Sequence, residues 1–135
     1  MLIFFGYTYC PDVCPQTLSS ISEALNTLGD DVKKVQPLFI SVDPVRDNPE
    51  AIKAYLKHFH RNFVGLTGTT KQISLIKRSY RIFSQKREQD PADQDDYLVD
   101  HSSITYLMGP KGEFKTFISQ GDGPAEILEK LRKHL

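Results

Sequence analysis

The spacing of hydrophobic and polar residues predicts that the chain begins with buried strands and helices in alternation. Residues 2–6 and 37–42 are short, continuously apolar runs, which is typical of strands covered on both faces. Between them, apolar residues recur at helical spacing from Leu18 to Leu28, and Gly29 ends the pattern. This alternation predicts right-handed βαβ connections and parallel pairing of the early strands.

Helix-start signals mark two further helices. Asn48 is a candidate N-cap with Pro49 at the first helical position, and an apolar stripe predicts that this helix continues to about His60. Thr69 or Thr70 has the same capping role ahead of a third helix. Both helices are therefore predicted from local capping chemistry together with helical periodicity.

The last third of the chain has the pattern of antiparallel strands. A polar, acidic surface loop is predicted over residues 88–96, a turn over residues 109–112, and a final helix from Pro124. The strands predicted after the second helix are residues 63–66, 81–86, 97–99, 103–108 and 113–119. The strands in the last part of the chain are predicted to pair antiparallel and to complete a sheet whose early strands are parallel.

These elements predict an α/β fold with a central mixed sheet flanked by helices. Both cysteines fall where the first strand meets the first helix, which is the thioredoxin arrangement. We expect residues 1–135 to form a single domain. The first strand begins without an upstream turn, so we expect a truncated chain that lacks an N-terminal extension. No apolar stretch approaches the roughly 20 residues that span a bilayer, so any anchor would have been lost with that extension.

The charge balance argues against one class of function. Lysine plus arginine and aspartate plus glutamate both number 17, so the formal net charge is zero. A nucleic-acid binder needs a basic face to replace phosphate counterions. We therefore expect no nucleic-acid partner.

The only two cysteines, Cys10 and Cys14, are four residues apart in the segment FFGYTYCPDVCPQTL. On a helix their Cα atoms would be roughly 6 Å apart, inside the disulfide range of about 4.4–6.8 Å. A disulfide closing so short a loop removes little chain entropy, so a purely stabilising role is disfavoured. A nearby helix start lowers the pKa of a thiol. The pair is predicted to be either a redox-active disulfide or a dithiol metal ligand.

The donor set narrows the choice of metal. Thiolates are soft ligands for Cu(I), zinc or iron–sulfur clusters, but the last two usually require four protein ligands. Cu(I) accepts fewer ligands, so two thiolates and one imidazole could suffice. His101, in VDHSSI at the junction of the acidic loop and a strand, is the candidate third ligand. The alternative is an ordinary structural role for this histidine. The remaining histidines are interpreted as ordinary surface or boundary residues.

A charged loop follows the second predicted strand. Asp43, Arg46 and Asp47 should lie at the same sheet edge as the junction of the first strand and first helix. We interpret these residues as a local ion pair that holds the loop, with direct metal ligation as the alternative.

Three segments resemble the Sco/SenC family of copper chaperones for cytochrome c oxidase assembly. They are FFGYTYCPDVCPQTL, LFISVDPVRDNPEAI and VDHSSITYLMGPKGEF, in the family's order and spacing. The resemblance implies a thioredoxin-like fold with one copper site that binds Cu(I) and Cu(II). The family's ligands carry over to Cys10, Cys14 and His101.

The resemblance also implies a partner and a location. Family members help to build the binuclear copper centre in subunit II of the oxidase. They deliver copper, act as a thiol–disulfide oxidoreductase on the receiving cysteines, or do both. The further partners expected from the resemblance are other copper chaperones or thioredoxin-like reductants. We expect the periplasmic face of a bacterial inner membrane or the intermembrane-space face of a mitochondrial one, through an anchor missing from this chain.

A general reductase is the less favoured alternative. Three residues separate Cys10 from Cys14, whereas two separate the cysteines of ordinary thioredoxins. We therefore do not expect an enzyme of the usual reductase kind.

Overall fold

The computed structural model describes residues 1–8, 13–80, 84–88, 97–101 and 104–135. Residues 13–14, 84–88 and 97–101 are described through their backbone. The strands are β1 (Leu2–Gly6), β2 (Pro37–Ser41), β3 (Val64–Leu66), β4 (Ser84–Glu88), β5 (Tyr97–His101), β6 (Ile104–Met108) and β7 (Phe114–Ser119). The α-helices are α1 (Val13–Thr27), α2 (Pro49–Leu56), α3 (Thr70–Ser79) and α4 (Pro124–His134), and a 3₁₀ helix spans Gly29–Lys34.

Five strands form a mixed sheet in the order β3-β2-β1-β6-β7. β1 and β2 pair in parallel, as do β2 and β3, while β1–β6 and β6–β7 are antiparallel. β4 and β5 form a separate two-stranded antiparallel ribbon. The predicted architecture, with parallel pairing early in the chain and antiparallel pairing late, is confirmed.

Aromatic side chains show that both faces of the sheet are covered by helices. Phe4 stacks on Phe39 with ring centroids 5.8 Å apart, and Tyr55 of α2 lies 5.7 Å from Phe39 on the same face. Phe5 points to the opposite face, since side chains alternate along a strand, and lies 5.6 Å from Tyr80 at the end of α3. α2 and α3 therefore lie on opposite faces. β1, buried along its whole length, forms the centre of the core.

The predicted caps are present. Asn48 accepts a hydrogen bond from the Ala51 amide at 2.7 Å, ahead of Pro49 in the first turn of α2. Thr69 caps α3 in a reciprocal capping box with Gln72. Both helix starts were predictable because the signal lies within four residues of the cap.

The predicted end of the second helix was wrong by four residues, since α2 ends at Leu56 and not near His60. The next amides bond only three residues back, as from Phe59 to the Leu56 carbonyl at 3.1 Å. The His60 amide then donates to Ser22 Oγ of α1 at 3.0 Å. A tertiary contact thus replaces the helical hydrogen bond that the periodicity predicted.

The strand predicted over residues 81–86 corresponds to β4, which ends at Glu88, two residues beyond the predicted end. β4 pairs with β5 and belongs to the ribbon, so Glu88 is strand and not loop. Residues 81–83 and the rest of the predicted acidic loop, residues 89–96, lie outside the described residues. None of the helices in the described part of the chain is both long and apolar enough to cross a membrane.

Gly65 lies at a close contact between α2 and the sheet. A Cβ at this position would overlap Cγ2 of Ile52 and lie 3.0 Å from Cδ1 of Leu56. Both side chains are buried, at 2% and 8% exposure. Only glycine therefore fits between β3 and the helix without a shift of α2.

Gly65→Ala should lower the free energy of unfolding by about 1–3 kcal/mol, because overpacking forces the buried side chains of α2 to move. Urea denaturation followed by circular dichroism measures this loss. Gly121→Ala is the control, because no heavy atom lies within 4 Å of a Cβ built there. An unchanged midpoint for Gly65→Ala would contradict the close packing.

Candidate functional site

The carboxyl ends of β1 and β2 define the sheet edge at which the candidate site lies. Gly6 at the end of β1 is paired with Ser41 at the end of β2. From these ends the chain continues through Thr8 towards the cysteines and through a loop to Asp47. Ligands of open α/β sheets bind outside the carboxyl ends of parallel strands. The edge position of both segments agrees with the prediction.

Asp47 joins these two segments. Its side chain is 0% exposed, and Oδ2 accepts hydrogen bonds from the Thr8 amide at 3.0 Å and the Ser41 hydroxyl at 2.6 Å. Oδ1 accepts from the Thr8 hydroxyl at 2.5 Å. A buried carboxylate is tolerated only when donors satisfy its oxygens, and bonds to a charged acceptor are the stronger kind. Asp47 therefore ties the segment that leads to Cys10 to the end of β2.

The predicted ion pair in the same loop is confirmed. Arg46 Nε lies 2.6 Å from Asp43 Oδ2, and the two side chains are 7% and 4% exposed. The Asp43 amide donates to Ser41 Oγ at 3.1 Å, and the Asp47 amide donates to the Asp43 carbonyl at 3.0 Å. The Arg46 guanidinium also lies over the ring of buried Tyr7, 5.9 Å from its centroid. These internal partners favour the structural interpretation over metal ligation.

Sequence reasoning missed Thr8 and Ser41 and did not separate Asp47 from its charged neighbours. Thr8 and Asp47 are 39 residues apart, so no local spacing marks their contact. The one available signal was the parallel pairing of the first two strands, which places their carboxyl ends side by side.

The structure places the backbone of two of the three predicted copper ligands. Cys14 is the second residue of α1, and His101 is the last residue of β5, opposite Ser84 in the ribbon. Cys10 lies outside the described residues. The convergence of the three side chains stays a prediction.

No second candidate metal centre competes with this one in the residues that the structure describes. Across those ranges, no group of three or more histidine, cysteine, aspartate or glutamate side chains is arranged to hold a metal ion. Cys14 and His101, described through their backbone, therefore stay the candidate ligands on the evidence of the sequence.

Comparison with known proteins decides the family. The sequence model of a family described as SCO1/SenC matches residues 1–135. The chain belongs to the SCO1/SenC family. This agrees with the resemblance found in the three sequence segments, and it extends that resemblance to the whole chain.

Two curated relatives show how much of a SCO1/SenC protein this chain represents. The human protein SCO1 homolog, mitochondrial, is 39% identical over 137 residues, which cover 100% of this chain and 45% of the human protein. The SCO2-like protein RC0895 of Rickettsia conorii is 40% identical over 131 residues, covering 97% of this chain and 63% of its own length. The chain thus spans less than two thirds of either relative.

A solved SCO1/SenC structure confirms the fold. ScoI of Bradyrhizobium japonicum, with copper bound, is 42% identical and superposes with a TM-score of 0.88. The match covers 99% of this chain and 83% of ScoI. The predicted thioredoxin-like fold is therefore correct, and this structural neighbour carries the predicted metal.

Asp47→Ala should lower the free energy of unfolding by about 3 kcal/mol, because the Ser41 and Thr8 donors lose a charged acceptor at a buried site. Thermal and urea unfolding measure the change. Asp30→Ala, at an exposed position in the 3₁₀ helix, should change stability by less than about 0.5 kcal/mol. Equal stability of the two variants would show that the Asp47 hydrogen bonds do not hold the loop.

Proposed function

We propose that this chain is a copper metallochaperone that carries one copper ion, as Cu(I) or Cu(II), on Cys10, Cys14 and His101. The observation that carries the proposal is the copper-bound ScoI structure, which matches 99% of the chain at 42% identity. Membership of the SCO1/SenC family supports it independently. Copper is the cargo of such a protein.

The thiol pair suits this cargo because of its place in the fold. Cys14 is in the first turn of α1, where the free amides and the helix dipole stabilise negative charge. A thiolate is the form that binds metal, and soft sulfur prefers Cu(I). The Asp47 hydrogen bonds hold the chain at Thr8, two residues before Cys10, and so reduce the freedom that metal binding must remove.

The third ligand would come from a different structural unit. His101 ends β5, in a ribbon whose ladder is separate from the five-stranded sheet. A carrier must bind its ion and also release it. Because His101 belongs to a separate ribbon, it could leave the ion without disturbing the thiols. We assign to His101 the control of this release.

The recipient follows from the family resemblance. We propose that the ion is delivered during cytochrome c oxidase assembly to the binuclear centre of subunit II, with other copper chaperones or thioredoxin-like reductants as further partners. The human relative is mitochondrial. We accordingly propose the intermembrane-space face of the mitochondrial inner membrane or the periplasmic face of a bacterial one.

A second function uses the same sulfur pair. Two cysteines four apart at a helix start can form a disulfide, so the chain could instead reduce the target cysteines of the oxidase as a thiol–disulfide oxidoreductase. Insulin reduction separates the two functions. One copper per chain with negligible insulin turnover supports the chaperone, whereas turnover without copper binding supports the oxidoreductase.

His101→Ala should weaken Cu(I) binding by at least about tenfold, since loss of even an outer partner of a metal ligand costs 10–100-fold. Anaerobic titration against a chromophoric chelator measures the affinity. His58→Ala is the control, because His58 is an exposed histidine beyond the end of α2. Wild-type affinity in His101→Ala would remove His101 from the ligand set.

A further inference from the structure

A groove lies at one edge of the five-stranded sheet, between α2 and the edge strand β3. Its volume is about 610 Å³, and Pro49 at the start of α2 and Gly65 of β3 both line it. The floor is apolar, since it includes Ile52, Leu56 and Phe63, which are 2–8% exposed. The groove thus offers a concave apolar surface along the length of the helix.

Three cations line the rim of this groove. Lys53 of α2 and Lys57, which caps the end of the helix, are one helical turn apart, and Arg61 follows four residues later. All three are exposed, and none forms an ion pair within the described part of the chain. No aspartate or glutamate is among the lining residues. Because the whole chain has a net charge of zero, this excess of positive charge is local.

The permanent cations, and not the lining histidine, supply this charge. Burial and the neighbouring Arg61 lower the pKa of His60, so its imidazole is neutral at pH 7. The Asn62 amide donates to His60 Nδ1 at 3.1 Å, which agrees with the neutral form. The rim therefore keeps its charge across the physiological pH range.

The groove borders an open strand edge. β3 pairs with β2 on one side, and in the residues that the structure describes it has no strand partner on the other. Val64 and Leu66 on this edge are 45% and 42% exposed. The outward N–H and C=O groups of an edge strand can pair with an extended peptide.

We propose that this groove binds an extended acidic segment of a partner protein, which adds to β3 as a further strand. Apolar side chains of the segment would cover the Ile52–Leu56 floor, and its carboxylates would face Lys53, Lys57 and Arg61. Lysines beside an edge strand can serve only to prevent aggregation, and that role needs no apolar floor. The concave apolar floor beside β3 instead offers a place for side chains of a bound segment. An anionic membrane surface is flat and makes no use of either the floor or the strand edge.

The position of the groove connects it to the candidate copper site. Pro49 lines the groove and lies two residues after Asp47, at the sheet edge that leads to the cysteines. A partner seated along α2 would reach that edge. The binding proposal holds with or without copper, so its test is separate from the test of the metal ligands.

Fluorescence polarisation tests the proposal on the whole chain. The probes are labelled nine-residue peptides in which aspartate or glutamate alternates with valine, leucine or phenylalanine. The double variant Lys53→Glu/Lys57→Glu should bind them at least about tenfold more weakly, because two attractions become repulsions. The matched control is Lys71→Glu/Lys133→Glu, which makes the same charge change at exposed lysines of α3 and α4 and should stay within about twofold of wild type.

Hydrogen exchange locates the bound peptide, since an added strand should slow exchange of outward-facing amides within Val64–Leu66. Circular dichroism checks that both double variants fold. Equal weakening in the two variants would show a response to overall charge and overturn the proposal. Failure of every acidic peptide would also overturn it, as would binding of phosphatidylglycerol vesicles without binding of any peptide.

Discussion

The buried carboxylate of Asp47 ties the chain that follows β1 to the end of β2. A charge removed from water is stable only with donors around it, and the donors here belong to Thr8 after β1 and Ser41 at the end of β2. Because the two strands are parallel neighbours, one carboxylate can reach both ends. The Asp43–Arg46 pair holds the loop that presents Asp47. Contacts within the protein therefore hold this edge of the sheet in place.

A copper carrier has to combine a defined sulfur pair with a ligand that can withdraw. The described backbone agrees with such a division, because Cys14 lies at the start of a packed helix and His101 at the end of a separate ribbon. The helix start favours thiolate, and the Asp47 hydrogen bonds restrain the chain just before the first cysteine. The proposed function thus assigns affinity to the sulfur pair and release to the imidazole.

Local signals predicted most of the fold. The caps at Asn48 and Thr69 were found because each depends on residues within one helical turn, and β1 was found because a strand buried on both faces reads as a continuous apolar run. The end of α2 was mispredicted because Ser22, from another helix, binds the His60 amide. Periodicity contains no information about such a tertiary partner.

The candidate ligands could be predicted from the sequence, but the contacts that hold the segment before them could not. The ligand set came from the resemblance of sequence segments, whereas the Thr8–Asp47 contact joins residues 39 positions apart and became visible only in the fold. Recognising the groove required both the sequence and the fold. The spacing of Lys53 and Lys57 can be read from the sequence, but the apolar floor between them and β3 exists only once α2 packs against Gly65.

X-ray absorption at the copper edge of the reduced, Cu(I)-loaded protein tests the central claim most directly. The account predicts one copper ion per chain, surrounded by two sulfur atoms and one imidazole nitrogen. A shell of sulfur alone would exclude the histidine, and a shell without sulfur would contradict a site built at the start of α1.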